Sequence, residues 1–144
     1  MICFGRSDTF IKHSTKIITF VSVITTCMKT HKFLFFFVLG ISGVVTYSAA
    51  WRSKKSEPAA QIDLLIDRND GIINLCEMKY SDEEFIIDKK LDENLRNKKS
   101  AFIREAKVRK AVHITMVTTY GVKRNEYWGN IQSEVKMDDL FWKK

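Results

Sequence analysis

A chain of 144 residues with 45% hydrophobic and 28% charged content has the size and composition of one globular domain, large enough to bury a core without covalent staples. Its three cysteines, Cys3, Cys27 and Cys76, are widely spaced and odd in number with no C-x-x-C pair, which argues against a disulfide framework or zinc site and for a reducing, cytoplasmic setting. The formal charge of +7 is uneven: residues 1–60 hold 8 Lys/Arg against 2 Asp/Glu and residues 61–144 hold 16 against 15, so the body of the chain is nearly neutral and its net charge is poor support for nucleic-acid binding.

In chain order, an apolar run over residues 17–27 is interrupted by Met28–Lys32 and followed by Phe33–Val45. Neither run reaches the roughly 18 to 20 residues needed to cross a bilayer, so no membrane partner is expected. Read from Met28, the basic start, the apolar core and the small-residue exit at Ser48-Ala49-Ala50 have the pattern of a secretory signal, which would make the mature protein a secreted one. Residues 43–50, with β-branched Val44, Val45 and Thr46, read as a strand, and Trp51–Ala60, with the only proline at Pro58, as a polar loop.

The next stretch organises the chain. Gln61–Asp67 and Ile72–Lys79 are apolar runs flanking Asn69-Asp70-Gly71, the pattern of a β-hairpin. A three-residue loop with Gly71 in the left-handed position makes Arg68 face Ile72, so that paired residue numbers sum to 140. Asp63 then faces Glu77 and Gln61 faces Lys79, all four on one side, with Ile62, Leu64, Ile66, Ile72 and Met78 on the other. Opposed carboxylates repel by a few tenths to about 1 kcal/mol, a cost that a divalent cation such as Mg2+ between them would remove.

Downstream, Ser81-Asp-Glu-Glu84 fits a capping box and Asp88 fits an N-cap for a later start; Leu91, Leu95, Phe102 and Ala106 place a long amphipathic helix within Ser81–Lys107. Ala111–Tyr120 reads as a buried strand, and strand, helix, strand implies a right-handed crossover with a parallel pairing, hence a mixed sheet. His113 on this strand is read as a satisfied lone histidine, and Tyr127 and Trp128 in the following loop as packing residues. Ile131–Lys136 alternates as a final short strand, and Met137–Trp142 as a helical turn.

Asp63 followed across the hairpin by Glu77-Met78-Lys79 resembles the D…E-x-K signature of the PD-(D/E)xK nuclease superfamily. More narrowly, Leu39–Trp142 looks like the C-terminal domain that follows the ATPase module in a family of archaeal and bacterial AAA-type ATPases, on the segments WRSKKSEPAAQIDLLIDR, INLCEMKYSDEEF, ENLRNKK, HITMVTTYGV and IQSEVKMDDLF. No GxxxxGK[ST] P-loop occurs, so the ATPase domain normally in the same chain is absent, and residues 1–38 fall outside the resemblance as a truncation, frameshift or fusion would. The resemblance implies that residues 39–144 form a restriction-endonuclease-like α/β domain, a mixed central sheet with flanking helices. It further implies Mg2+- or Mn2+-dependent phosphodiester hydrolysis of DNA or RNA, with Asp63 and Glu77 as metal ligands and Lys79 acting on water and phosphate. Arg52, Lys54 and Lys55 would lie near the nucleic-acid backbone. From the residues alone, the Asp63, Glu77 and Lys79 trio reads as a surface ion-pair cluster. The superfamily usually adds an acidic residue from its first helix, and before Leu39 only Asp8 is available, which would leave the site weak or inactive. The alternative expectation is a non-catalytic regulatory or interaction module of an ATP-binding protein.

Overall fold

The computed structural model describes residues 16, 18–20, 22, 24, 26, 32–55 and 59–140. It is an α/β fold built on one five-stranded mixed sheet in the order β1 (Thr46–Arg52), β2 (Gln61–Arg68), β3 (Ile72–Lys79), β4 (Ala111–Thr118) and β5 (Ser133–Lys136). The first three strands pair antiparallel, and β3–β4 and β4–β5 pair parallel. A short helix, α1 (Lys32–Val38), precedes the sheet, and α2 (Lys89–Glu105) makes the β3–β4 crossover.

The hairpin register is the expected one. Gly71 adopts φ +89°, and the cross-strand pairs from Leu64–Cys76 to Asp67–Ile73 each sum to 140. Arg68 donates to the Asp70 side chain at 2.9 Å, and the guanidinium holds that carboxyl below the usual carboxylate range. The β2–β3 register runs as far as Leu64–Cys76, and the irregularity lies in the pairing of β2 with β1. Between the Ala49–Leu65 and Trp51–Ile62 pairs β2 carries one extra residue, a bulge that bends the strand. Ile62 therefore joins Leu65, Ile73, Leu75 and Phe102 on the α2 side, whereas Leu64 and Ile66 pack on the opposite face. This corrects the expectation that Ile62, Leu64 and Ile66 share a face, because strict alternation holds only for a strand without a bulge.

Of the two candidate starts for the long helix, Asp88 is the one used: its carboxylate accepts from the Leu91 N–H at 2.7 Å. The Ser81–Glu84 alternative is overridden because Phe85 is held extended, donating its N–H to Gly121 O and accepting from Lys123 N–H. Phe102 packs edge-on against Trp51 at 5.4 Å, and Leu95 sits with Ile114, Met116 and Ile131. The expected terminal turn is a 3-10 turn over Met137–Leu140, with Trp142 outside the described residues.

The opposite face of the sheet, lined by Leu64, Ile66, Cys76, Val117 and Val135, is covered from the N-terminal side by Phe20, Ile24, Phe35, Phe36 and Ile41. Residues 1–38 fall outside the resemblance, yet their described members Phe20, Ile24, Phe35 and Phe36 are part of the core. Phe20 and Ile24 are spaced one helical turn apart, and an apolar sheet face left bare would cost about 25 cal/mol per Å² of exposed surface. The run Phe33–Val45 is not one element. Gly40, at φ +68°, ends α1 with a Schellman pair, Ile41 N–H to Phe36 O at 2.8 Å and Gly40 N–H to Phe37 O at 2.9 Å, and the chain turns back into β1. Lys16 reaches Asp82 at 3.0 Å and Phe20 meets Tyr80 at 5.8 Å, so this layer also touches the end of β3. No described helix is long and apolar enough to cross a membrane.

If the N-terminal layer is part of the core, Phe35→Ala leaves a cavity and lowers unfolding free energy in urea by about 3–5 kcal/mol. A change below about 0.5 kcal/mol would show that Phe35 contributes no buried packing.

Candidate functional site

Glu77 and Lys79 sit two residues apart on β3, so both project to the face that α2 covers, in line with Ile73 and Leu75. Glu77 is buried, and its two carboxylate oxygens are each taken by an ammonium: Oε1 by Lys79 at 2.9 Å and Oε2 by Lys98 at 2.8 Å. Lys98 arrives from α2, seven residues after Leu91 and three after Leu95, on the flank of the helix's apolar stripe.

Around this carboxylate opens a pocket of about 510 Å³ whose polar wall also includes Lys90, Asn94 and the N-cap Asp88. Phe85 and Leu91 supply an apolar side. Three ammonium groups against Glu77 and Asp88 make it a net cationic concavity, and burial near a low-dielectric wall strengthens its pull on an anion.

Asp63 is not brought into this group. Beyond Leu64–Cys76 the cross-strand pairing of β2 with β3 lapses, while Glu77, Met78 and Lys79 continue to pair with Met116, Val117 and Thr118 of β4. Asp63 is exposed and accepts from the Gln61 amide at 2.7 Å. Asp63 thus bonds Gln61, and Glu77 bonds its two lysines. Among the described residues no group of three or more His, Cys, Asp or Glu side chains comes together, and both Glu77 oxygens are occupied by cations. This arrangement does not fit Mg2+ or Mn2+, which take a set of carboxylate, carbonyl and water oxygens.

Arg52, Lys54 and Lys55 lie at the same end of the sheet, since Arg52 pairs with Gln61 at the start of β2, but none lines the pocket. Arg52 bonds the Gln61 side chain, and the loop is pinned to the end of α2 through Ser53 Oγ to Glu105 at 2.7 Å and Lys54 N–H to Glu105 at 3.2 Å. Asp8 lies outside the described residues. His113, paired in register with Asn74 inside the sheet, is apart from the pocket. Burial pushes the Cys76 thiol up to about 12, so it is no nucleophile.

Two groups escaped the sequence reading. Lys98 was not singled out; its place beside Leu95 was the available signal, but which lysine of α2 meets β3 depends on the crossover. Asp92 is buried, paired with Arg96 at 2.8 Å and accepting from Asn130 at 2.7 Å, and ties α2 to the segment before β5.

No family model and no curated protein matches the sequence. Among solved structures, a protein of unknown function designated AF1548 is similar, at 14% identity and a TM-score of 0.48, over 75% of this chain. The chain spans 61% of that protein's length.

Removing one lysine leaves the buried Glu77 with a single cation and one carboxylate oxygen without its partner. Lys98→Ala, losing the more enclosed lysine, lowers stability by about 1–3 kcal/mol, and Lys79→Ala, at 35% side-chain exposure, by less. Urea denaturation of the two variants checks the order.

Proposed function

We propose that this chain is a phosphate-recognising, non-catalytic module on a nuclease-like fold, seating a phosphodiester backbone in the pocket of Lys79, Lys90 and Lys98. The observation that carries the reading is the placement of Lys79 and Lys98 on one buried carboxylate at the floor of that pocket. Glu77 orients both ammonium groups toward the opening without neutralising the pocket. A phosphate oxygen entering there accepts from the remaining N–H donors of each lysine, and charge-assisted bonds of this kind are stronger than neutral ones. Lysine is a point-charge binder of phosphate, so the contact is with the backbone and carries no base preference. The exposed Lys54 and Lys55 lie at the same end of the sheet and extend the positive track. The resemblance to a domain that follows an ATPase module supports a regulatory or interaction role for such binding.

A second reading, metal-dependent phosphodiester hydrolysis, is favoured by the D…E-x-K order and by Glu77 and Lys79 lining one pocket. It needs Asp63 to leave Gln61 and Glu77 to release at least one lysine.

Fluorescence anisotropy with a labelled oligonucleotide separates these. Binding is expected without divalent metal, and Lys79→Ala or Lys98→Ala each reduces the slope of log K against log[salt] by about 0.7–0.9. Unchanged affinity in both variants removes the proposal. Mn2+-dependent plasmid nicking that Asp63→Ala abolishes would establish the hydrolytic reading instead.

A further inference from the structure

The two edges of the sheet are treated differently. The β5 edge is four residues long, carries Glu134 and Lys136, and is closed where the Lys136 N–H donates to Asp139 at 3.0 Å before the chain enters a 3-10 turn. These are the devices that block strand addition. Among the described residues, the β1 edge carries fewer of them. Thr46–Arg52 is seven residues long, Ser48, Ala49 and Ala50 are exposed, its single charge is Arg52 at the last position, and its bulge is on the neighbouring strand.

The direction of each backbone group on β1 follows from its two end bonds. Val45 O accepts from Asn69 N–H, and Ser53 N–H donates to Ala60 O, so odd-numbered residues turn their backbone toward β2. Thr46, Ser48, Ala50 and Arg52 therefore point theirs outward. An antiparallel copy of the same strand uses all four only in one register, centred on Ala49. There Thr46 meets Arg52 and Ser48 meets Ala50, giving roughly eight backbone hydrogen bonds at two per pair. No like charges face each other in that register. Odd-numbered side chains share the α2 face, so the exposed Tyr47 stands opposite the partner's Trp51, the ring already packed on Phe102.

We infer that β1 is a homodimer interface, in which two chains pair antiparallel about a two-fold axis at Ala49 to form one continuous ten-stranded sheet. A two-fold pairing closes on itself, so the edge is consumed and no fibre grows. The inference does not rest on the phosphate pocket, which lies at Glu77 and α2.

The test uses the full chain with Cys3 and Cys27 changed to Ser. Sedimentation equilibrium is expected to give twice the chain mass. In the proposed register the two Ala49 Cα atoms form a non-hydrogen-bonded pair about 4.5 Å apart, within disulfide range. Two Tyr47 positions lie about 13 Å apart. Ala49→Cys is then expected to form disulfide-linked dimer on the order of tenfold faster than Tyr47→Cys. Ser48→Pro removes an outward N–H that β2 does not use, so it should give a monomer with unchanged far-ultraviolet circular dichroism. A monomeric parent, equal cross-linking of the two cysteine variants, or a Ser48→Pro chain that folds and remains dimeric overturns the inference.

Discussion

The left-handed turn at Gly71 is the constraint from which the rest of the sheet follows. With φ at +89°, it sets β2 against β3 in a register that puts Leu65 beside Leu75 and Ile66 beside Asn74. β3 then becomes the strand with an antiparallel neighbour on one side and a parallel neighbour on the other. The parallel neighbour cannot be reached by a hairpin, so the chain must cross over one face, and α2 is that crossover. Because Ile73, Leu75 and Phe102 make the contact, Lys98, one turn earlier on α2, is carried to Glu77.

The electrostatic character of the pocket comes from this placement. A buried carboxylate without partners destabilises a fold; Glu77 has an ammonium group on each oxygen, and the shared carboxylate holds both lysines in place. The same contacts make Glu77 a poor metal ligand as it stands, since its oxygens already have partners. The bulge on β2 turns Ile62 into the core under α2, the β2–β3 register runs only as far as Leu64–Cys76, and Asp63 bonds Gln61.

The two faces of the sheet differ in how they are covered. α2 closes one with a single amphipathic helix, while Phe20, Ile24, Phe35 and Phe36 close the other from segments whose apolar runs are too short for a bilayer and are broken by Gly40. Among the described residues, Phe20, Ile24, Phe35 and Phe36 meet the apolar row Leu64, Ile66, Cys76, Val117 and Val135.

Local chemistry in the sequence was sufficient for most strands and for the long helix, though not for the short helix Lys32–Val38. Asn69-Asp70-Gly71 determined the turn, alternation and β-branching the strands, and the strand, helix, strand order the mixed sheet, while the sequence offered two starts for α2 and the Phe85 bridge left Asp88 as the one used. The presence of Glu77 and Lys79 on one face was equally legible, because i and i+2 on a strand always share one. Tertiary structure alone decided the rest. A bulge on β2 has no signature in QIDLLIDR, since it arises from how β1 and β2 pair, and it turns Ile62 to the α2 side. Lys98 was one of several lysines on a helix until the crossover angle selected it, and the cover on the second face depended on which apolar segment lay within reach of the sheet. Spacing within a strand or helix is set by covalent geometry and reads directly from the chain; a contact between elements far apart in sequence is set by packing and does not.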